Sequence, residues 1–363
     1  MRPPKEEAQD ADPTVTEVAP GILRMQLPIS IPGLGHTNCY AMEDDRGFTV
    51  VDPGLPGPAS WTALADRLGQ LDAEPRHIHT VVCTHSHPDH YGGAHQIREE
   101  TGARVVTHRL FRNWWDPSDD GSETLDDGLS VDDNDAADAE QAASEAPDRG
   151  EQVRPDGRTP WGTVWERRRP PPEAASAMEG IDPRWFGAPV PSLRLDEAET
   201  IKLGGREWVA VHTPGHTPDH LCLYDPEGGV MLSGDHVLPT ITPHISGLSA
   251  DADPLRRFME SLERMHHFDG VRIVLPAHGN PFTDLGGRAD AIHRHHIERL
   301  ETLRGISASL GPATVEALTQ RLFRQRSWGT MAESETYAHL EHLRLDGEAT
   351  RDEVGGFLHY TVG

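Results

Sequence analysis

Short apolar runs alternate with turn residues in the first part of the chain, from residue 15 to residue 52. The runs cover residues 21–25, 38–42 and 48–51, and polar or glycine-containing segments separate them. Runs of this length, bounded by turn residues, are typical of β-strands. The pattern therefore predicts antiparallel strands that lead to Asp52.

The spacing of apolar residues then becomes helical. Trp61, Leu64, Leu68 and Leu71 recur at intervals of three and four, which predicts a helix over residues 60–71 with Ser60 as its N-cap.

A buried strand is expected over residues 79–84, followed by a polar loop and a helix from about His90 to Glu100. The adjacent Gly92 and Gly93 predict a close approach of the backbone at the start of this helix.

Three further strands are predicted over residues 208–212, 229–233 and 271–275, each followed by a short polar loop. After residue 285 the pattern is helical. One long helix carries an apolar face and ends at Gly311, and helices over 313–325 and 332–346 precede a short hairpin. The long helix has a face formed by Ile292, His296, Leu300 and Leu303.

The net charge of −26 is concentrated in one segment. Residues 116–151 hold 14 Asp or Glu and the single cation Arg149, which accounts for half of the total. With few large apolar residues, the segment cannot offset its ordering entropy by burial, so residues 116–155 are expected to form a flexible acidic insertion. A lid, or a decoy for a basic partner, is the alternative. Such acidity argues against nucleic acid as a partner.

Composition also bears on the compartment. Cys39, Cys83 and Cys222 lie singly in apolar runs, which favours buried thiols in a reducing environment over a disulfide framework. The chain lacks an apolar run of 18 or more residues, and the first residues lack the apolar core of a signal peptide. A cytoplasmic protein without a membrane partner is expected.

Four short blocks contain the residues that point to chemistry. The first is residues 84–90, with His, x, His, x, Asp and His in succession, and the others are centred on single His or Asp residues that follow predicted strands. Ligands of this kind without thiolates suit Zn²⁺, with Fe²⁺ or Mn²⁺ as alternatives. The seven candidate metal ligands are His85, His87, Asp89, His90, His216, Asp235 and His278.

These blocks resemble those of the metallo-β-lactamase-fold hydrolases, over most of residues 17–285. The resemblance implies an α/β fold, an αββα sandwich with the metals at one edge. It also implies that a first metal ion is held by residues matching His85, His87 and His216, and a second by those matching Asp89, His90 and His278. In this family the residue matching Asp235 bridges the two ions.

The resemblance further assigns a supporting role to Asp52, which matches an early Asp behind the metal loop, and a structural role to His220. We expect His244, after the Asp235 loop, to be a candidate for the substrate pocket. The exposed surface of helices is the expected location of five other His residues: His266, His267, His293, His295 and His296.

The reaction implied is hydrolysis by a hydroxide that bridges two divalent metal ions, with Asp89 and Asp235 as the catalytic carboxylates. A thioester or carboxylic ester is the leading class of small-molecule substrate, because residues 215–220 resemble the hydroxyacylglutathione hydrolases. Alternatives are a single-strand RNA endonuclease of the β-lactamase-like type and a lactonase or β-lactamase-type hydrolase.

The predicted organisation is a flexible N-terminus (1–14), a catalytic domain (15–285) and a small helical domain (286–363). The last resembles the winged-helix module of some relatives. It carries too few basic residues to favour DNA binding, so a structural role or a homodimer contact is expected. The stretch between His90 and His216 is longer than simpler members of this fold need, and we call it the long excursion. Its Trp and Phe residues between 161 and 186 are expected either to anchor it to the body of the protein or to cap the active site.

Overall fold

A computed structural model describes residues 5–31, 33–112, 157–164 and 188–363. Within these residues the chain forms two mixed β-sheets, a small third sheet and flanking helices. The acidic insertion predicted over residues 116–155 lies outside the described residues, as do Trp165, Trp185 and Phe186.

The first sheet contains seven strands among the described residues, in the order of the sequence. The first four pair antiparallel and the last four pair parallel. The strands are β1 (Thr16–Ala19), β2 (Ile22–Ile31), β3 (Leu34–Asp44), β4 (Gly47–Val51), β5 (Ile78–Val82), β6 (Arg104–His108) and β7 (Leu193–Leu195).

The second sheet has five described strands in the order β12-β11-β10-β9-β8. Only the β11–β12 pair is parallel among the described pairs of this sheet. The strands are β8 (Thr200–Leu203), β9 (Arg206–His212), β10 (Leu221–Asp225), β11 (Val230–Gly234) and β12 (Ile273–Pro276).

Seven α-helices are described, and the last three enclose the third sheet, whose order is β13-β15-β14. The strands of that sheet are β13 (Ala313–Thr314), β14 (Ala349–Val354) and β15 (Phe357–Val362). The helices are α1 (Pro58–Gly69), α2 (Pro88–Tyr91), α3 (Ala94–Thr101), α4 (Pro254–Arg264), α5 (Leu285–Leu310), α6 (Val315–Leu322) and α7 (Thr330–Leu345). None of the described helices combines the length and apolar character needed to cross a membrane.

Three hydrophobic clusters show that the layers are stacked as α, β, β, α. One cluster joins the first sheet to α1 and α3, for example through Val50 and Leu64. Another lies between the sheets and includes Tyr40 and Trp208. The last covers the opposite face of the second sheet. This arrangement follows from strands that are apolar on both faces.

The C-terminal region shares its core with the second sheet. Leu340 of α7 and Tyr360 of β15 belong to the same buried cluster as Val211 and Met231 of the sheet. A boundary near residue 286 therefore divides the chain by secondary-structure pattern, but it cuts through a continuous hydrophobic core.

Two helices differ from their predicted form. The first helix begins at Pro58, and the Ser60 hydroxyl donates to the Pro28 carbonyl, so Ser60 is not its cap. Proline suits the first helical position, where its missing N–H is not needed. The helix predicted from His90 to Glu100 is two helices, because the chain breaks at Gly93, whose N–H donates to the Gly54 carbonyl.

Part of the N-terminal segment that we expected to be flexible packs against the body of the protein. Glu7 lies in a short 3₁₀ turn and is fully buried. Its carboxylate accepts hydrogen bonds from the backbone N–H groups of Thr240 and Ile241 and from the Thr240 hydroxyl. These bonds satisfy a charge that would otherwise be costly to bury.

Candidate metal centre

The strands of both sheets deliver the seven candidate ligands to one place. Strand β5 precedes His85, β9 precedes His216, β11 precedes Asp235 and β12 precedes His278. The ligands of the first block lie in the loop after β5 and in the short helix α2. All seven side chains are buried or nearly so, and the structure brings every one of them into a single cluster.

The first group of ligand atoms comes from His85, His87 and His216. The His87 Nδ1 atom lies 3.0 Å from His85 Nε2 and 3.0 Å from His216 Nε2. In a tetrahedral zinc site with zinc–nitrogen distances of about 2.0–2.1 Å, two nitrogens are roughly 3.3 Å apart. The three nitrogens thus have the spacing that a common ion requires.

The second group comes from Asp89, His90 and His278. Asp89 Oδ2 lies 3.5 Å from both His90 Nε2 and His278 Nε2. Asp235 lies between the two groups: its Oδ2 atom is 3.5 Å from His216 Nε2 and 3.6 Å from His90 Nε2. Its Oδ1 atom is 3.3 Å from His278 Nε2.

Three of these atoms are buried and, although they lie close to other ligand atoms, make no hydrogen bond of acceptable geometry among the described residues: His90 Nε2, Asp235 Oδ1 and His278 Nε2. Buried polar atoms are rarely left unpaired, because their desolvation is costly. Each of these atoms faces the centre of the cluster rather than the apolar core. The donor set and the unpartnered atoms together fit divalent metal ions.

The ionisation of the cluster also suits metal binding. Burial, reinforced by neighbouring histidines, lowers the pKa of His85 and lowers that of His87 to about 3, so both rings are neutral. Burial alone would raise the pKa of Asp235, but His278 and His90 outweigh it and hold the pKa well below its usual range. The carboxylates of the cluster outweigh burial and raise the pKa of His90 and of His278, so these two rings would release a proton when a metal binds. Neutral imidazoles and ionised carboxylates are the forms that coordinate metals.

Asp52 supports the metal loop, as the family resemblance implied. Its carboxylate accepts from the Thr84 N–H and hydroxyl, both at 2.8 Å, and lies 2.9 Å from His90 Nδ1. A carboxylate on Nδ1 fixes the proton there and leaves Nε2 free to coordinate. No sequence pattern identifies Thr84, and its role as a double donor to Asp52 is visible only in the structure.

Backbone carbonyls orient two other rings. His216 Nδ1 lies 2.8 Å from the carbonyl oxygen of His244, and His278 Nδ1 lies 2.7 Å from that of His36. His244, predicted as a pocket residue, therefore contacts the cluster through its backbone, while its ring faces Glu335. Any residue can supply a backbone carbonyl, so the sequence could not predict that His36 and His244 orient these rings.

His220 is structural in this arrangement. It is fully buried, and its Nε2 atom accepts from the Asp235 N–H at 2.9 Å while its Nδ1 atom lies 2.7 Å from the Thr213 hydroxyl. Gly234 passes so close that a Cβ there would lie 2.6 Å from His220 Nε2. The ring thus sets the backbone position of Asp235.

The prediction that His296 lies on the helix surface is wrong. His296 is fully buried, and its Nδ1 atom lies 3.1 Å from His339 Nε2. With Glu335, these two histidines form a further group of ligand-type atoms. The position is buried because it belongs to the same helical face as Ile292 and Leu300, which pack on the body.

Trp161, from the long excursion, is an anchor. It is buried in the C-terminal hydrophobic cluster, and its Nε1–H donates to Glu333 at 2.8 Å. Its carbonyl accepts from the Leu358 N–H of strand β15. Of the aromatic residues expected to anchor or cap, this one fastens the excursion to the C-terminal region.

Comparison with known proteins agrees with this geometry. Residues 32–305 match the model of the "Metallo-beta-lactamase superfamily". The metallo-beta-lactamase family protein TTHA1429 from Thermus thermophilus superposes with a TM-score of 0.71 and 28% identity, covering 96% of this chain and 100% of that one. "Probable metallo-hydrolase YqjP" of Bacillus subtilis (strain 168) is 23% identical over 93% of this chain and 96% of its own length.

Two kinds of relative carry a more specific name. "Acyl-coenzyme A thioesterase MBLAC2" of Gallus gallus is 30% identical over 68% of this chain and 73% of that protein. "Atrochrysone carboxyl ACP thioesterase nsrC" of Aspergillus novofumigatus is 33% identical, but the match spans only 31% of this chain and 33% of the fungal protein. The family match, the full-length structural likeness and the ligand cluster lead to one conclusion: this chain belongs to the metallo-β-lactamase superfamily.

Proposed function

We propose that this protein is a metal-dependent hydrolase with two divalent metal ions, and that Zn²⁺ is the metal, with Fe²⁺ or Mn²⁺ as alternatives. The observation that supports this most directly is the position of Asp235 between two adjacent ligand groups. His85, His87 and His216 would hold one ion, and Asp89, His90 and His278 the other. Each group supplies three protein ligands. Water or substrate would be the fourth ligand of an ion that Asp235 does not bind, and the fifth ligand of an ion that it does, a coordination number that catalytic zinc can reach.

Two such ions, when bound, would lower the pKa of a water molecule and polarise the substrate oxygen. The residues of the chain supply the geometry. Asp89 and Asp235 are held as carboxylates, and each has one oxygen within 3.6 Å of two ring nitrogens. We propose that Asp89 also accepts a hydrogen bond from the attacking water or hydroxide and so orients it toward the substrate.

A thioester or related carboxylic ester is the proposed substrate class. Relatives whose names include a thioesterase activity support it, one of them over two thirds of this chain. The net charge of −26 also favours a small acyl substrate over a polyanion such as RNA, which the protein would repel.

A panel of substrates tests this proposal. The purified protein, loaded with zinc, is assayed against acyl-coenzyme A thioesters, carboxylic esters, lactones, a chromogenic cephalosporin and single-stranded RNA. We expect turnover of thioesters or esters that a chelator abolishes. Cleavage of RNA alone would place the protein with the nucleases instead.

We also propose that residues 286–363 form a winged-helix-like module. The order helix, strand, helix, helix, strand, strand and the sheet order β13-β15-β14 support this. Because the module shares a core with the second sheet, the proposed role is to support the catalytic body rather than to bind nucleic acid.

A further inference from the structure

The loop after the bridging Asp235 carries a support of the candidate metal centre but has little structure of its own. No helix or strand is described between Gly234, the last residue of β11, and Pro254, the first residue of α4. His244 lies in the middle of this stretch, and its carbonyl accepts from the ring of His216. The orientation of that ring thus depends on contacts that hold the loop from outside.

Glu7 and Arg288 hold the part of the loop before His244, through residues 238–241. Helix α7 supplies the contacts at His244 and just after it. The Ser334 hydroxyl accepts from the Gly247 N–H at 3.0 Å, and Gly247 approaches so closely that a Cβ there would lie 2.5 Å from the Ser334 carbonyl. One residue further along the helix, Glu335 Oε2 lies 3.4 Å from His244 Nδ1. The helix is therefore seated directly on the segment that carries the His244 carbonyl.

Glu335 is itself held in place from two sides. Its carboxylate pairs with Arg299 of α5, and both side chains are largely buried. Burial alone would raise the pKa of Glu335, but the hydrogen bond with His244 and the charge of Arg299 outweigh it and keep the pKa below its usual range. Glu335 is thus a fixed, charged contact for the His244 ring.

The nearby histidines complete this network. His339 Nδ1 donates to the Glu335 carbonyl at 2.7 Å, which leaves its Nε2 atom to accept from His296. The other ring nitrogen of His296, Nε2, is buried without a hydrogen-bond partner among the described residues. Because Arg299 already neutralises the Glu335 carboxylate and both nitrogens of His339 are engaged, we interpret the His296–Glu335–His339 group as a structural network rather than a third metal site.

We propose that Glu335 is a positioning residue for the candidate metal ligand His216, acting from the C-terminal region through His244. The path runs from the Arg299–Glu335 pair to the His244 ring, and from the His244 carbonyl to His216 Nδ1. The inference rests on the proposed metal-binding function. The second ligand group is independent of this path, because His278 is held by the His36 carbonyl.

Zinc affinity, measured by competition with a chromophoric chelator, tests the proposal without an activity assay. In a His278→Ala background only the first ligand group is complete, and in a His216→Ala background only the second. In the first background Glu335→Gln is expected to weaken zinc binding about tenfold, as for other outer supports of a metal ligand. In the second background it is expected to have no effect.

His244→Ala removes the ring but keeps the carbonyl, and it should cause a similar loss. Because both changes break one contact, the double variant should bind zinc no more weakly than either single variant. Glu333→Gln is the matched control, since Glu333 lies on the same helix but bonds Trp161 and not His244. If Glu335→Gln lowers the melting temperature of the metal-free protein more than this control does, His244→Ala decides alone, because it leaves the Arg299 pair intact.

The outcomes separate the inference from the function on which it rests. Absence of zinc binding by the wild-type chain would overturn the proposed function. Wild-type binding with an unchanged first-group affinity in His244→Ala would overturn only the role of Glu335. A wild-type content of three zinc ions that falls to two in Glu335→Gln would also overturn it, in favour of a metal at the His296–His339 pair.

Discussion

Asp52 Oδ2 lies 2.9 Å from His90 Nδ1, and both side chains are almost completely buried. Asp52 follows strand β4, which pairs in parallel with β5, the strand that leads into the metal loop. The carboxylate therefore lies directly beneath the loop and also accepts both hydrogen bonds from Thr84. Its backbone has a φ of 54°, in the left-handed region that few residues other than Gly adopt. From its position at the end of strand β4, Asp52 thus fixes the proton of His90 on Nδ1 and leaves Nε2 available to a metal.

Asp52→Asn is expected to weaken metal binding at the second ligand group by about 10–100-fold. An amide places a donor where the carboxylate accepted, so His90 loses the acceptor for its Nδ1 proton and Nε2 becomes protonated instead. Zinc titration of the His216→Ala protein, with and without the substitution, measures this loss. Asp45→Asn, at an exposed position on the neighbouring turn, is the control and should bind normally. Equal affinities in all these proteins would show that Asp52 does not set the tautomer.

The local arrangement of the ligands was readable from the sequence, because each ligand follows an apolar strand. The His-x-His-x-Asp-His block and the later His216, Asp235 and His278 meet as the resemblance implied. The strand pattern placed each ligand at a strand end, and the family resemblance supplied the assignment of the ligands to two groups at one edge of a sandwich. The groups that orient the ligand rings were harder to predict, since His36 and His244 act through backbone carbonyls.

Close packing at Gly92 was also predicted, and the structure confirms it. A Cβ at this position would lie 2.2 Å from Pro56 Cδ and 2.4 Å from the Pro88 carbonyl. Gly92→Ala should therefore destabilise the fold by about 1–3 kcal/mol, the usual cost of overpacking. Gly69→Ala is the matched control, because nothing lies within 4 Å of its Cβ and it ends helix α1. Urea unfolding of both variants compares them; equal stability would contradict the packing.

Trp161→Phe tests the anchor of the long excursion. The substitution keeps most of the buried aromatic surface but removes the donor to Glu333, a carboxylate that is 8% exposed. An unpaired acceptor left in a buried site costs about 1–3 kcal/mol. Trp328→Phe, at a Trp that is 38% exposed, should cost less. Thermal melts of the two variants give the difference, and a larger loss for Trp328→Phe would rule out the anchor.

Removal of residues 118–150 is expected to leave the melting temperature almost unchanged. The segment is rich in Asp and Glu and offers few large apolar side chains for burial. Differential scanning calorimetry of the shortened chain, joined by a glycine-serine linker, makes the comparison. A drop of many degrees would mean that the segment contributes to the core after all.

Other features of the fold depend on contacts between distant parts of the chain. Glu7 reads as a charged residue of a polar terminus, yet it is fully buried because three donors of the loop at Thr240 and Ile241 converge on it. His296 reads as one of many helical histidines, yet it faces His339 across two helices. The burial of Glu7 is decided by partners more than 200 residues away, which no local pattern reports. The burial of His296 follows from its helical face, but its hydrogen bond with His339 does not.

The buried His and Asp cluster is proposed to bind the metal ions that make this protein a hydrolase. We would test this by measuring zinc content and acyl-thioester hydrolysis of the wild-type, Asp235→Ala and His87→Ala proteins. His266→Ala, at an exposed position, is the control. We expect two ions per chain, activity that a chelator removes and zinc restores, and loss of hydrolysis in both cluster variants with their fold retained. Full hydrolysis by Asp235→Ala or by the metal-free protein would contradict a metal-dependent mechanism at this cluster.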